Sequence, residues 1–315
     1  MSLSFADFDA VEAALDPSEL VEALRKGFRL GCEMPPRHRH TWGRSNEADA
    51  TFVLMPAWQT DGVMGVKLTS IVPGNSARGM ASVMPMYILF DPLTGKPTKV
   101  LDGRAITLNR TAAASALAAT YLARKDASKL VMMGTGDLAP YLVRAHCAVR
   151  PIKHVEIWGR NPEKAQRTVE ALSGLKQEVK VVENLEQSVA SADIISCATL
   201  ALDPIVSGVW LSPGAHLDLV GSFTPLMRET DDEAIRRARL FADKREACLT
   251  EPGDLTQPLK AGVISESDLL ADLFSLTRGE HPGRETDEEI TLFKSVGLAL
   301  EDLVAAQLVV EKQGG

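Results

Sequence analysis

The sequence lacks long apolar runs, closely spaced cysteines and an excess of positive charge. No stretch is long and apolar enough to span a bilayer, and the first residues carry no apolar segment of the secretory kind. The net charge is −8, which disfavours nucleic acid and anionic membranes as partners. The four cysteines (Cys32, Cys147, Cys197 and Cys248) are far apart in the chain. We therefore expect reduced cysteines and a cytoplasmic protein that binds neither nucleic acid nor a membrane.

A glycine-rich turn in the middle of the chain predicts a dinucleotide site. Residues 129–133 form an apolar, strand-like run, and Gly134, Gly136 and Ala139 follow with the spacing G-x-G-x-x-A before a helical pattern. Gly134 would permit the tight turn, and Gly136 would let the backbone approach a pyrophosphate. The N–H groups at the start of the helix would then face the anion. A glycine turn without a nucleotide is the weaker alternative.

Strands and helices alternate around this turn. Further strands are predicted at 155–158, 179–182, 193–197 and 216–220, and Pro162 opens a helix between the first two. This alternation is typical of an α/β, doubly wound nucleotide domain of the Rossmann type. The context therefore favours a nicotinamide or related dinucleotide as the ligand of the turn.

The rest of the chain predicts an α+β domain. Asp16 and Pro17 mark a helix start, and strands are predicted at 51–55, 63–68 and 86–90. Asn109 is expected to cap a helix over 110–122, and 289–310 has a helical pattern that would pack back on the first domain or at a dimer interface. The 315 residues suggest about two domains. We assign 1–125 together with 290–315 to substrate binding and dimerisation, and 126–289 to the Rossmann domain.

Arg160 follows the second strand of the nucleotide region, where an NAD-selective site often has an acid. An arginine there can instead pair with the 2′-phosphate of NADP. A solvated surface arginine is the alternative. Lys164 could assist, although the exposed face of the following helix is its more ordinary place. The sequence thus favours NADP, with NAD as the second possibility.

Two cations in the first domain are candidates for binding an anionic substrate. Arg110 would stand at a helix start, where the guanidinium and the helix dipole together suit a carboxylate. Its alternative role is an ion pair with an acid such as Asp102. Lys67 interrupts an apolar strand, so it either faces water or points into a pocket.

The remaining polar candidates carry weaker signals. Arg37 lies in a basic extended segment and could face an anionic substrate, while His38 and His40 have no obvious third ligand, so we expect no metal site. His216 could act as an acid near the cofactor, although a core histidine is more common. The acidic turn 251–254 is expected to be a solvated loop.

Together these motifs resemble the ornithine cyclodeaminase/mu-crystallin family over nearly the whole chain. They are Pro36-Arg37, Gly65-Val66-Lys67, the run 110–116, Gly134-Thr135-Gly136, the run 213–216, and the run 293–297 followed by Glu301-Asp302. The resemblance implies a Rossmann domain, a substrate domain that forms a homodimer, and NAD(P)-linked redox chemistry on amino acids, imino acids or ketimines.

The resemblance also implies roles for individual residues. Arg37, Lys67 and Arg110 match positions that hold the substrate carboxylate. The matching cofactor contacts are Thr135, Asp137, Leu138, Arg160, Asn161, Thr199 and Val220, and Ser295 lies in the motif that approaches the nicotinamide. The chain departs from the cyclodeaminases at two positions where those enzymes have acids, namely Val53 and Phe223.

The run 287–295 resembles the delta-1-pyrroline-2-carboxylate reductases. We therefore expect NAD(P)H-dependent reduction of a small cyclic imino acid, delta-1-pyrroline-2-carboxylate or its six-membered piperideine homologue, to L-proline or L-pipecolate. Lys67 would orient or protonate the imine. The alternatives are ornithine cyclodeaminase activity, alanine dehydrogenase activity, and non-catalytic NADP-dependent ligand binding like that of mu-crystallin.

Overall fold

The computed structural model describes residues 3–60 and 62–314. The chain forms two compact units, one from Met1–Arg110 with Leu298–Gly315 and one from Thr111–Gly297. The predicted divisions lay after residue 125 and before residue 290. The structure instead divides the chain inside a long helix at Arg110 and just before the C-terminal helix at Leu298. The assignment of substrate binding and dimerisation to the first unit stays a prediction.

The strands and helices are numbered in chain order. The strands are β1 (Ser4–Ala6), β2 (His38–Trp42), β3 (Ala50–Trp58), β4 (Met64–Ile71), β5 (Val83–Phe90), β6 (Pro97–Asp102), β7 (Lys129–Met133), β8 (His154–Trp158), β9 (Glu178–Val181), β10 (Ile194–Cys197), β11 (His216–Leu219), β12 (Ala238–Ala242), β13 (Leu269–Asp272) and β14 (Ile290–Lys294). The α-helices are α1 (Phe8–Glu12), α2 (Pro17–Leu30), α3 (Gly103–Leu122), α4 (Ala139–Val149), α5 (Pro162–Ala171), α6 (Leu185–Ala190), α7 (Asp232–Arg237), α8 (Arg245–Cys248), α9 (Gly253–Lys260), α10 (Leu273–Arg278) and α11 (Ala299–Lys312). Within the described residues, none of these helices has the length and apolarity needed to cross a membrane.

The first unit is built on a six-stranded mixed sheet in the order β1-β6-β5-β4-β3-β2. Only β1 and β6 pair in parallel among these strands. Helix α2 begins as predicted, because the Asp16 carboxylate accepts hydrogen bonds from Ser18 N and Glu19 N. Its buried apolar side chains pack toward α11, and Gly27 lets the two helices approach because a Cβ there would overlap Val304. Helix α11 also packs against β3 and β4, which fixes its N-terminal turn in the core of this unit.

The second unit is a parallel eight-stranded sheet in the order β13-β12-β14-β11-β10-β7-β8-β9. From β7 the chain proceeds outward through β8 to β9, then returns to β10 on the other side of β7. This is the strand order of the doubly wound dinucleotide folds, so the Rossmann prediction is confirmed. In such sheets ligands bind beyond the carboxyl ends of the strands at the point where the order reverses. Here that point lies between β7 and β10.

Two sequence-based assignments of local structure are wrong. Helix α3 begins at Gly103, so Asn109 is not its cap; the Asn109 amide donates to Ala105 O and to Glu12 Oε2 from within the helix. The region 289–310 is not one helix, because Ile290–Lys294 is strand β14. That strand lies between β11 and β12 and is buried throughout. Its apolar residues Ile290 and Phe293, with Val296 beyond, also recur at a helical spacing, so the pattern does not distinguish the strand from a helix.

Candidate active site

The glycine turn after β7 has the geometry that a bound pyrophosphate requires. Gly134 has φ +119°, and a Cβ there would overlap Ala198 O at the end of β10. A Cβ on Gly136 would meet no atom within 4 Å, so its backbone faces open space. Helix α4 follows at Ala139, and its N-cap residue, Leu138, provides no side-chain hydrogen bond. The open backbone and the helix terminus therefore fit an anion, and both belong to the unit with the Rossmann sheet.

A cavity of about 530 Å³ opens from this turn between the ends of β7, β8 and β10. Of the predicted cofactor contacts, its lining contains Gly134, Thr135, Gly136, Arg160, Asn161, Lys164 and Thr199. Asp137 and Leu138 continue the same turn. Val220 and Ser295 do not line this cavity; they directly follow β11 and β14, and Ser295 N donates to Leu219 O. The structure thus collects most of the predicted contacts at one edge of the sheet.

The end of the cavity beside β8 is positively charged. Arg160 and Lys164 are exposed there, and the acid in the lining is Asp203. Asn161 has a structural task, since its Oδ1 accepts from Lys164 N and caps α5. Two cations at this edge suit an extra phosphate better than a ribose hydroxyl alone.

The second group of candidate residues is a buried cluster in the first unit, formed by Lys67, Arg110, Glu301 and Asp302. Lys67 Nζ lies 2.7 Å from Asp302 Oδ2 and donates to Oδ1 at 2.9 Å. Arg110 donates from Nε to Asp302 Oδ1 at 2.9 Å and from Nη1 to Glu301 Oε2 at 2.6 Å. Lys67 and Arg110 are only 5% and 6% exposed, and both acids are fully buried. Asp302 therefore holds the two cations side by side.

The position of Arg110 in the helix differs from the predicted one. Arg110 lies inside α3 rather than at its start, so the dipole of that helix does not assist it. Asp102 is not its partner, because the Asp102 carboxylate accepts from Ala105 N in the first turn of α3. The ion-pair alternative is realised with Glu301 and Asp302 instead. A substrate carboxylate would therefore have to bind through the donors that remain, such as Nη2, which takes no part in these two pairs.

The electrostatics of this cluster affect Lys67 most. Burial, together with the Arg110 charge, lowers the pKa of Lys67 to about 8, against the opposing influence of Asp302. Arg110 stays charged at any ordinary pH. The cluster contains two cations and two acids, so it is neutral overall when all four are ionised. Lys67 can thus exchange a proton near neutral pH while Arg110 supplies a permanent positive charge.

The other predicted residues are more dispersed. Arg37 is half-buried directly before β2, and the exposed rings of His38 and His40 stack with their centroids 6.4 Å apart. Across residues 3–60 and 62–314, no group of three metal-binding side chains is close enough to hold an ion. His216 is a core residue whose Nδ1 lies 2.9 Å from Thr291 Oγ1.

The prediction that 251–254 is a solvated loop is wrong. Asp254 is fully buried in α9, and its Oδ2 lies 3.0 Å from the buried Lys294 Nζ. The sequence carried one signal of this pair, namely a lysine inside the apolar run 290–294, which needs an anion when it is buried. Glu301 and Asp302 appeared in the sequence analysis only as part of a motif.

The comparison with protein families covers almost the whole chain. Residues 4–315 match the ornithine cyclodeaminase/mu-crystallin family. The chain belongs to this family. The family prediction, and with it the prediction of a Rossmann-type domain beside a second domain, is confirmed.

Individual family members are similar over their full length. The Delta(1)-pyrroline-2-carboxylate reductase of Colwellia psychrerythraea is 38% identical over 96% of this chain and 97% of its own. The solved Thermococcus litoralis Delta(1)-pyrroline-2-carboxylate reductase in complex with NADH and L-proline has a TM-score of 0.91 and 35% identity, covering 98% of this chain and 96% of its own. An archaeal alanine dehydrogenase dimer with bound NAD has a TM-score of 0.89 and 30% identity, covering 98% and 95%.

Proposed function

We infer that the chain is an imine-reducing oxidoreductase that uses a nicotinamide cofactor, and we propose delta-1-pyrroline-2-carboxylate as its substrate and L-proline as the product. The six-membered homologue, which would give L-pipecolate, is the second candidate substrate. The observation that carries the proposal is the buried pair of cations, Lys67 and Arg110, held together by Asp302. Reductases named for this substrate are among the full-length relatives, which supports the same choice.

The chemistry of the substrate matches this cluster. Reduction adds a hydride to the ring carbon of the C=N bond and a proton to the nitrogen, so one imine and one proton are consumed for each cofactor oxidised. The cofactor supplies the hydride when it is bound. The carboxylate next to the C=N bond would pair with Arg110, because charge-assisted hydrogen bonds are the strong ones. Lys67, with a pKa of about 8, would hold or deliver the proton at the nitrogen.

The chain has no acid at the two positions, Val53 and Phe223, where the related cyclodeaminases have one. Val53 is buried on β3, and the pairing of β3 with β4 places it on the same face of the sheet as Lys67. Phe223 is 49% exposed in the loop after β11. Neither side chain accepts a proton, which favours reduction of a preformed imine over the cyclodeaminase alternative.

NADPH is the proposed cofactor, on the strength of Arg160 and Lys164 at the edge of the cavity. The solved relatives contain NADH or NAD, so the relatives support a nicotinamide cofactor without supporting the additional phosphate. The cytoplasmic location stays a prediction from the cysteines.

A homodimer is proposed through the open face of the six-stranded sheet. Phe52, Met84 and Met86 are each about 40% exposed there. Two rows of residues cross strands β3, β4 and β5 on this face. One row is Phe52, Ser70 and Met84, and the other is Leu54, Leu68 and Met86. A contiguous apolar face of this kind usually marks an interface, and one solved relative is a dimer.

The test is a panel of substrates supplied with NADH and with NADPH. We expect rapid cofactor oxidation with delta-1-pyrroline-2-carboxylate and stoichiometric L-proline. Turnover of pyruvate with ammonia but not of the imine would indicate alanine dehydrogenase activity. Tight cofactor and ligand binding with no turnover of any member would indicate a binding protein like mu-crystallin.

A further inference from the structure

Glu229 is a fully buried acid between β11 and α7 that joins the loops after two strands. Its Oε1 accepts hydrogen bonds from Thr199 N at 2.7 Å and from Thr199 Oγ1 at 2.8 Å. Its Oε2 accepts from Gly221 N at 2.8 Å. Thr199 lines the cofactor cavity, and Gly221 directly follows Val220. One carboxylate thus fixes two loops that are predicted to touch the cofactor.

The same acid is linked to a third such segment. Glu229 N donates to Asp254 Oδ1 at 2.7 Å, and Asp254 Oδ2 lies 3.0 Å from Lys294 Nζ. Lys294 ends β14 and directly precedes Ser295, the residue predicted to approach the nicotinamide. We call Glu229, Asp254 and Lys294 the Glu229 cluster. All three are fully buried. Thr199 is hydrogen-bonded to Glu229. Val220 precedes Gly221, which also bonds to Glu229, and Ser295 follows Lys294.

The packing around Gly221 leaves no room for a side chain. A Cβ at Gly221 would overlap the Thr199 backbone and the Glu229 carboxylate. The two loops are therefore in direct contact, and the Glu229 carboxylate occupies the place where they meet. A change at Glu229 must be transmitted to both loops, because there is no space to absorb it.

The charges of the cluster do not balance when both acids are ionised, since only one lysine faces two carboxylates. Burial and the Asp254 charge raise the pKa of Glu229 to about 7, against the opposing influence of Lys294 and the Thr199 hydrogen bonds. Cys197 on β10 and Cys248 on α8 also lie near these charges. Burial raises the pKa of both thiols well above the ordinary value, so they stay neutral.

The hydrogen bonds distinguish the two forms of Glu229. Both oxygens accept from N–H or O–H donors, which is the pattern of an ionised carboxylate. Protonation would remove the negative charge and make both oxygens poorer acceptors, so the charge-assisted bonds to Thr199 and Gly221 would weaken. Protonation would therefore weaken the hold on at least one loop.

We propose that Glu229 is a positioning residue of the cofactor site: its ionised carboxylate holds the loops after β10 and β11 in the arrangement that binds the nicotinamide cofactor, and protonation releases them. The proposal rests on the cofactor site assigned above. Because the cofactor binds the ionised form, its affinity should be highest above neutral pH and should fall as the pH drops below about 7.

The experiment is a fluorescence titration of the full-length protein with NADH, without imine, from about pH 5.5 to about pH 8.5. NADH is the probe because the 2′-phosphate of NADPH would itself titrate near pH ~6. For the unchanged protein we expect the Kd to rise below neutral pH by up to about tenfold per pH unit, the limit for one proton. Glu229→Gln cannot ionise, so its Kd should be high and independent of pH. With imine present, its KM for NADH should rise more than its kcat falls.

Two further variants separate positioning from a purely structural role. Asp254→Asn removes the charge that opposes ionisation of Glu229, so the midpoint of the NADH curve should move to lower pH. Glu156→Gln is the matched control. Glu156 is also buried, on β8 of the same sheet, with Lys129 Nζ 3.0 Å away, and its amide should leave the pH dependence unchanged.

A flat NADH curve for the unchanged, folded protein would overturn the proposal, as would a pH dependence that persists in Glu229→Gln. If that variant does not fold, an unmoved midpoint in Asp254→Asn would overturn the proposal and a lowered one would support it. The proposed function is judged separately. NADH binding with the expected pH dependence, but no reduction of any imine, would support Glu229 and remove the imine reductase.

Discussion

Replacing Arg110 tests whether its charge serves the substrate or only the fold. Arg110→Met leaves Glu301 and Asp302 buried with Lys67 as their only cation in the cluster. Removing one partner of a buried pair costs about 3–5 kcal/mol of stability. A loss of activity in this variant alone would therefore be ambiguous, because an unfolded or distorted protein is also inactive.

The ambiguity is resolved by neutralising Glu301 as well. In the double variant Arg110→Met with Glu301→Gln, the remaining charges are Lys67 and Asp302, which balance each other. We expect the free energy of unfolding to recover most of its loss, because no excess charge stays buried. If Arg110 anchors the substrate carboxylate, the double variant still loses about 2–5 kcal/mol of transition-state stabilisation, so its kcat/KM stays lowered roughly 30- to 4000-fold.

The assays are urea unfolding, NADPH binding and steady-state reduction of delta-1-pyrroline-2-carboxylate. Glu301→Gln alone is the control, and it should keep most of the activity because Glu301 only orients Arg110 in this reasoning. NADPH binding should be unchanged in all three variants. Recovery of kcat/KM together with stability in the double variant would refute the anchoring role and make Arg110 a structural residue.

Arg160→Ala should raise the KM for NADPH far more than that for NADH, and Lys164→Ala should do so more weakly; equal effects on both cofactors would remove the 2′-phosphate role. Imine reduction at saturating cofactor should decline above about pH 8 as Lys67 loses its proton, and Lys67→Arg should abolish that limb of the pH profile, whereas an unchanged limb would assign it to another group. Burial lowers the pKa of His216 to about 3, so below about pH 6.5 the unfolded chain binds a proton at this residue that the folded protein does not bind. As the pH falls from about 6.5 to about 3, the free energy of unfolding in urea should therefore decrease by up to about 1.4 kcal/mol per pH unit. The decrease should be less steep in His216→Gln.

The Rossmann domain could be predicted because its signals are local. The turn at Gly134 and Gly136 and the alternation of strands and helices occur within short windows of sequence. Strand β14 was missed because Ile290–Lys294 is buried on both faces and shows no strand alternation, while Ile290, Phe293 and Val296 recur at a helical spacing. The start of α3 was missed although its signal is local: the Asp102 carboxylate accepts from Ala105 N, but Gly103 opens the helix and is a poor helix former.

The candidate site was only half predictable for a similar reason. Lys67 stands out in the sequence because it interrupts an apolar strand, and Arg110 because it directly precedes the alanine-rich part of α3. Their partner Asp302 lies 235 and 192 residues further along the chain, so no spacing rule connects it to them. Glu229 and Asp254 lie in polar, turn-like sequence, which is typical of exposed loops, yet tertiary packing buries both. A buried acid such as Asp254 is stabilised by a cation that only the tertiary structure brings next to it.

The last prediction is that the protein does not convert ornithine to proline. Cyclodeamination would remove a hydride from the α-carbon, let the side-chain amine attack the resulting imine, expel ammonia, and return the hydride with a proton to the cyclic imine so formed. The amine arrives protonated, since such a group titrates near pH ~10, so a positioned base must take its proton. Val53 and Phe223 stand where the related cyclodeaminases have acids, and the apolar Phe223 would disfavour an unpaired ammonium.

Lys67 does not replace the missing base. Its ammonium is paired with Asp302 and keeps its proton below about pH 8, so at neutral pH it serves as an acid and not as a base. A preformed cyclic imine needs only a hydride and one proton, so its reduction survives the loss of both acids. The measurement is ammonia and proline release from ornithine with oxidised cofactor, with Phe223→Asp as the companion variant. Stoichiometric release of both products by the unchanged protein would refute the reductase assignment and restore the cyclodeaminase alternative.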